Sequence, residues 1–265
     1  MSGGSRESIA NELAGLTRAF EGIRDPRMIV LDGLPESVRP SGALLATVLG
    51  QDMKVGSLAR LLRELHRRLG DRLLAQETRD WVALDRACRI PWLAEWPHKE
   101  SLPGWVLSVS DFLRAHGPLE EWAVPENSPR ELVFTMAREL PWMGSRSPYK
   151  IKGWRLLRWL ARGELGMPMW EARMRGQLVV PVAAVERPLR TLGWLPGGWQ
   201  ELGPDARQEW FDEVVGLASG EDPARVWLPL ETVLARGRNG PACQEHLKGC
   251  AGCPVRAFCP TPGRM

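Results

Sequence analysis

Residues Leu234 to Cys259 read LARGRNGPACQEHLKGCAGCPVRAFC and hold four of the five cysteines in the chain, Cys243, Cys250, Cys253 and Cys259. Four thiolates within seventeen residues, at intervals x6, x2 and x5, can close around a soft metal, because iron and zinc favour sulfur ligands. Disulfides are disfavoured in a reducing cytosol. Cys250-x2-Cys253 is also a common half of a zinc site, so spacing alone leaves zinc and an iron–sulfur cluster both open. His246, between two of the cysteines, reads as solvent-facing. Cys88, the fifth cysteine, reads as a small core hydrophobe.

Upstream of this run the apolar pattern is helical nearly throughout. Ile9, Leu13, Leu16 and Phe20 fall at helix spacing, and so do Leu58, Leu61, Leu62, Leu65 and Leu69. The second set leaves Arg60, Arg63, Arg67 and Arg68 on the outside, an amphipathic helix with a basic exterior. SGALLATVLG, from Ser41 to Gly50, predicts a tightly packed helix. Trp105, Val109, Phe112 and Leu113 predict another, stopped near Gly117-Pro118. Ser128-Pro129-Arg130-Glu131 has an N-cap residue, a proline at the first helical position and an acid in the first turn, so a helix should run to about Leu140. After it come the turn-rich LPWMGSRSPY and the basic KIKGWRLLRWLARG, from Lys150 to Gly163. Only LVVPVAAV, Leu178 to Val185, reads like a strand, and Pro181 in its middle makes it a buried loop leading into a helix.

Apolar residues make up 44% and charged residues 25% of the 265, too apolar for general disorder. No apolar run reaches the length of a membrane span, and the N-terminus lacks the apolar stretch of a signal peptide. The expected location is therefore the cytoplasm. Net charge is only +3, but its distribution is uneven. Residues 54–72 carry six Lys or Arg against two acids, and residues 144–175 carry eight against two. Each stretch alone reads as a solvated helix face; together they suggest a surface that attracts phosphate. Of the thirteen tryptophans, Trp81, Trp92, Trp96, Trp105 and Trp122 are expected to be packing residues.

The cysteine run closely resembles the C-terminal cluster loop of the helix-hairpin-helix DNA glycosylases of the endonuclease III and MutY kind. In that family the same spacing binds a [4Fe–4S] cluster, and the resemblance makes Cys243, Cys250, Cys253 and Cys259 its ligands. The likeness extends upstream. LLATVLGQDMKVGSLARLLREL, Leu44 to Leu65, is similar to the family's early helix pair. It places Gln51 where relatives carry a Gln that fills the gap left by a flipped nucleotide; the alternative for Gln51 is a helix-terminal polar residue. Leu140-Pro141-Trp142-Met143-Gly144 resembles the Leu-Pro-Gly-x-Gly hairpin whose backbone N–H groups hold a DNA phosphate. Here Trp142 replaces the first glycine, and about six extra residues precede the next helix. Gly144 keeps the last glycine.

Lys152 to Gly163 aligns without gaps to the helix that carries the Schiff-base lysine of bifunctional members, and Lys152 falls on that lysine. Such a lysine must be neutral to attack C1′, and the basic neighbours Lys150, Arg155 and Arg158 should lower its pKa. The alternative is that Lys152 contacts phosphate. LVVPVAAVERPLRTLGWL, Leu178 to Leu195, resembles the family's Val-Asp-x-His stretch, but Val182 or Ala183 stands at the position of the catalytic Asp. Glu186 is the nearest carboxylate. A bacterial branch of the same superfamily, with an S-x-x-K helix and an Ile-Pro-Leu-Asp stretch, is similar at Ser147 to Trp159 and at Val180-Pro181-Val182, and there too the Asp is missing.

The resemblance thus implies an all-α, two-lobed fold. A central lobe at 41–163 is flanked by 1–40 and 164–265, which form a second lobe with the cluster loop at 238–262. It implies a monomeric, nucleoid-associated protein that binds double-stranded DNA through Gln51, Gly144, Lys150, Arg155 and Arg158. It would act as a DNA glycosylase, with AP lyase activity through Lys152. The alternative is a catalytically divergent iron–sulfur protein that binds DNA without base release. A third class, a purely structural or redox protein, predicts no DNA affinity, and the basic stretches speak against it.

Overall fold

The computed structural model describes residues 5–19, 26–50, 52–119, 129–143, 150–161, 186, 189–190 and 192–219. Helices and 3-10 turns make up the regular structure of these residues, and no strand occurs among them. The fold is all-α. No helix of the described residues is long and apolar enough to cross a membrane.

The chain divides into two compact units, Pro26–Arg173 and a discontinuous one made of Met1–Asp25 with Met174–Met265. The sequence reading drew the central lobe at 41–163. Residues 26–40 join that unit because their 3-10 turn at Pro26–Leu31 packs on the basic helix that follows.

In the discontinuous unit, α1 (Arg6–Ala19) packs along α8 (Pro204–Ser219). Ile9, Leu13 and Leu16 are buried from one helix, and Trp210, Phe211, Val214 and Val215 from the other. Arg6 donates to the Glu213 carboxylate at the edge of this pair. Trp199, Trp210 and Phe211 pack edge-to-face, with ring centroids 5.2–5.7 Å apart, the arrangement aromatic quadrupoles favour.

In the central unit, α2 (Arg39–Leu49) is the hub. Small and apolar residues surround it, and Gly42 to Leu49 are all buried. A helix apolar on every side must be enclosed, and α3, α5 and α7 enclose it. The one polar side chain in its buried stretch, Thr47, donates to the Ala43 carbonyl at 2.8 Å. The other helices are α3 (Val55–Leu69), α4 (Trp81–Cys88), α5 (Leu102–His116), α6 (Pro129–Glu139) and α7 (Ile151–Ala161). α3 turns Leu58, Leu61, Leu62 and Leu65 inward and ends at Gly70, whose φ of +58° glycine adopts without a Cβ clash. α5 ends in the same way, at Gly117.

The helices expected from periodicity are therefore present with shifts of one to three residues at their ends. Phe20, Ser128 and the stretch Leu178 to Val185 lie outside the described residues. The expectation that all the central tryptophans pack inward fails for one. Trp96 and Trp105 are buried and Trp92 is half-buried, whereas Trp81, the first residue of α4, is 43% exposed. Trp122 lies outside the described residues.

Candidate active site

α7 carries the residue of greatest chemical interest. Leu156, Leu157 and Leu160 are fully buried, and Trp154 and Trp159 nearly so, so this helix is anchored along its length. Its N-terminal end sits against α2 and α6. Lys150 begins it with a left-handed φ of +48°, its carbonyl accepting from Gly153 at 3.0 Å and Trp154 at 3.3 Å. Lys152 then falls in the first turn, half-buried.

That position decides its protonation. Burial comes first and the positive charge of Arg155 second; together they push the Lys152 ammonium from 10.5 down to about 8, while the Asp52 carboxylate draws it partly back. Arg155 is three residues along, on the same face of the helix. The positive end of the α7 dipole acts in the same direction as Arg155. Of the three cations expected to depress Lys152, Arg155 does so. Lys150 instead places its Nζ 5.7 Å from the Phe134 ring. The side chain of Arg158 lies outside what the structure describes.

Asp52 follows the end of α2, a helix packed on α7. It has a left-handed φ of +53°, a conformation that Asp and Asn tolerate best among non-glycine residues. Its Oδ2 lies 3.3 Å from His98 Nε2. The imidazole is in turn surrounded by rings, with centroids of Trp142 at 5.3 Å, Trp105 at 5.4 Å and Trp96 at 5.6 Å. Lys152, Asp52 and His98 therefore belong to one neighbourhood of the central unit, which a lysine–carboxylate reading of the sequence did not anticipate. Nothing periodic marks Asp52 or His98, and the two are 46 residues apart.

The turn that follows α6 supplies Trp142. Its φ is +63°, the region a glycine fills at least cost and a genuine outlier for a bulky side chain. Trp142 is 46% exposed and stacks edge-on against Trp105. A groove of about 650 Å³ beside it is lined by Trp81, Trp105, Trp142 and Glu100, among others.

The basic surface of α3 is partly engaged. Arg67 and Arg68 both bind Glu64, and Arg68 also donates to the Ala87 carbonyl at 3.0 Å. Arg72 binds Asp80 at 2.7 Å, and the Arg60 guanidinium lies 4.6 Å from the centre of the Trp92 ring. A depression of about 710 Å³ beside α3 is lined by Arg67, Arg68, Arg72 and Arg86 and by one acid, Asp80, an arginine-rich rim. In the other unit, Glu186 is held by Arg207 at 3.4 Å and is nearly buried.

Cys243, Cys250, Cys253 and Cys259 lie outside the described residues, as do Gln51, Gly144, Val182 and Ala183. Among the described residues no group of three or more His, Cys, Asp or Glu is placed to hold a metal. Cys88 is buried, 6% exposed, and burial, followed by the charge of Asp85, pushes its thiol up to about 12. Compared with known proteins, the chain matches no family model, and neither a curated protein nor a solved structure matches it significantly.

Proposed function

We propose that this chain binds double-stranded DNA and acts in base excision as a DNA glycosylase with AP lyase activity, Lys152 being the nucleophile. The observation that carries this reading is a lysine held in the first turn of a buried helix with its pKa lowered to about 8. Roughly a tenth to a fifth of such an amine is neutral near physiological pH, far more than for an ordinary lysine, and the neutral form is what attack on a sugar aldehyde or C1′ requires. The exposed Trp142, packed on the His98 ring, offers a flat apolar face of the kind on which an unstacked base can rest. The positive rim along α3 is suited to sequence-independent phosphate contacts, which should weaken steeply with salt.

Cys243, Cys250, Cys253 and Cys259 are the residues that would hold a [4Fe–4S] cluster, and four thiolates are a donor set that suits it. Such a cluster, when bound, would cross-link the C-terminal loop and so fix its conformation.

The test is borohydride trapping on duplexes carrying an abasic site or a common base lesion. A covalent adduct that disappears in Lys152→Ala is expected. Base release with no Lys152-dependent adduct would leave a glycosylase without lyase chemistry.

A second reading is a DNA-binding protein without base release. It is favoured by Glu186, the nearest carboxylate to the vacant Asp position, being tied to Arg207. Salt-dependent duplex binding with neither adduct nor released base would select it.

A further inference from the structure

We propose that Asp52, held in place by His98, is the proton carrier for Lys152, supplying from within the central unit the carboxylate that the sequence lacks at Val182 or Ala183. The inference rests on the reading of Lys152 as nucleophile and extends it.

Three observations converge. Asp52 stands directly after α2, which packs on the helix bearing Lys152, and its charge is felt at the Lys152 amine. Its carboxylate is 69% exposed, so a substrate can reach it, yet the carboxylate is not loose. His98 Nε2 sits 3.3 Å from Oδ2, and the imidazole is set by Trp96, Trp105 and Trp142. The backbone at Asp52 is also in the left-handed region, a strained conformation that the fold sustains at this residue.

With the aldehyde form of an abasic deoxyribose the step balances as follows. The Asp52 carboxylate takes one proton from the Lys152 ammonium. The neutral amine attacks C1′, its nitrogen–carbon bond forms, and the carbonyl π pair moves to oxygen. A second proton passes from the attacking nitrogen to that oxygen, giving a carbinolamine. The protonated Asp52 then returns its proton to the hydroxyl, the C1′–oxygen bond breaks and water leaves. The iminium that remains carries one proton on nitrogen, and Asp52 is again a carboxylate. His98 does not touch the reacting atoms; it is a positioning residue for Asp52.

The experiment measures single-turnover borohydride trapping on an abasic-site duplex, as a function of pH, for the full-length chain and four variants. Asp52→Asn keeps the left-handed backbone, since Asn tolerates it as Asp does, and should slow trapping by about 100-fold, the lower end of general acid–base effects. Asp52→Glu should regain part of the rate. His98→Phe keeps the ring packing but removes the bond to Oδ2, and should cost about tenfold through misplacement of Asp52, with an altered pH profile. Lys152→Ala should give no adduct. If Asp52→Asn traps at the wild-type rate while Lys152→Ala does not trap, Asp52 is not the proton carrier and the nucleophile reading stands. If His98→Phe is unchanged while Asp52→Asn is slow, the role of His98 falls. If the unmodified chain gives no adduct, the nucleophile reading and this inference fall together.

Discussion

Val133 of α6 and Gly153 of α7 are so close that a Cβ built on the glycine would lie 2.9 Å from Val133 Cγ1. Val133 is fully buried and, being β-branched, has little rotamer freedom with which to move away. The contact fixes the separation of the two helices one residue after Lys152. Gly153→Ala should therefore destabilise the chain by about 1–3 kcal/mol through overpacking, although alanine is the better helix former. Urea denaturation checks this, and Gly153→Ala combined with Val133→Ala should recover part of the loss. An unchanged midpoint in the single variant would contradict the tight approach.

Trp142 allows a comparison in which backbone and side chain act separately. Both Trp142→Gly and Trp142→Ala lose the ring contacts with His98 and Trp105. Only glycine relieves the φ of +63°. The glycine variant should therefore be more stable than the alanine variant by about 1 kcal/mol, the reverse of the order in a helix. Thermal melts of the two variants decide it.

Lys152 should be a cost to stability as well as a nucleophile. Its folded-state pKa is about 8 and its ordinary value 10.5. Between these values the unfolded chain binds the proton and the folded chain does not, so stability rises as pH increases through that window. Below it, the folded chain bears the full cost of the half-buried ammonium. Lys152→Met should stabilise the chain near pH ~7 by on the order of 1 kcal/mol, given the solvent that still reaches the amine, and the advantage should shrink toward pH ~10. Denaturant titrations of both proteins at the two pH values measure the gap. A gap that widened with pH would have the wrong sign.

The five cysteines should separate into two classes. A thiol buried and pushed up to about 12, as Cys88 is, is almost wholly protonated near neutrality and reacts slowly. In native, metal-free protein Cys88 should remain unmodified by a disulfide reagent while Cys243, Cys250, Cys253 and Cys259 react. Denaturation should release it. Rapid labelling of Cys88 in the native chain would contradict its burial.

How much of this is visible in the amino-acid sequence differs from element to element. The helices α1, α3, α5 and α7 follow from leucine and tryptophan spacing, because each buries one stripe against a neighbour. α2 follows from its small apolar residues alone. Lys152 is picked out only through the resemblance of its helix to the one that carries the lysine of bifunctional glycosylases, whereas its perturber Arg155, three positions away on the same helix, follows from helix spacing. Asp52 and His98 cannot be picked out. Their pairing is a contact between two loops, made by tertiary packing around α2, and neither residue type nor spacing encodes it. Trp81 is likewise misjudged by a rule that places tryptophan inside, since the side of α4 on which it falls is set by how α4 meets α3 and α5. The left-handed backbone at Trp142 is not legible in the sequence, since a bulky side chain disfavours it.

The central claim is that the fold lowers the Lys152 ammonium to a pKa of about 8, so that the neutral amine is populated close to physiological pH. Its most direct test is the pH dependence of Lys152 acetylation by trace acetic anhydride in the native chain, read peptide by peptide in a mass spectrometer. The account predicts a midpoint at about 8 for Lys152. A Lys152 midpoint at the ordinary 10.5 would mean that neither burial nor Arg155 acts on the amine, and the nucleophile reading would have lost its physical basis.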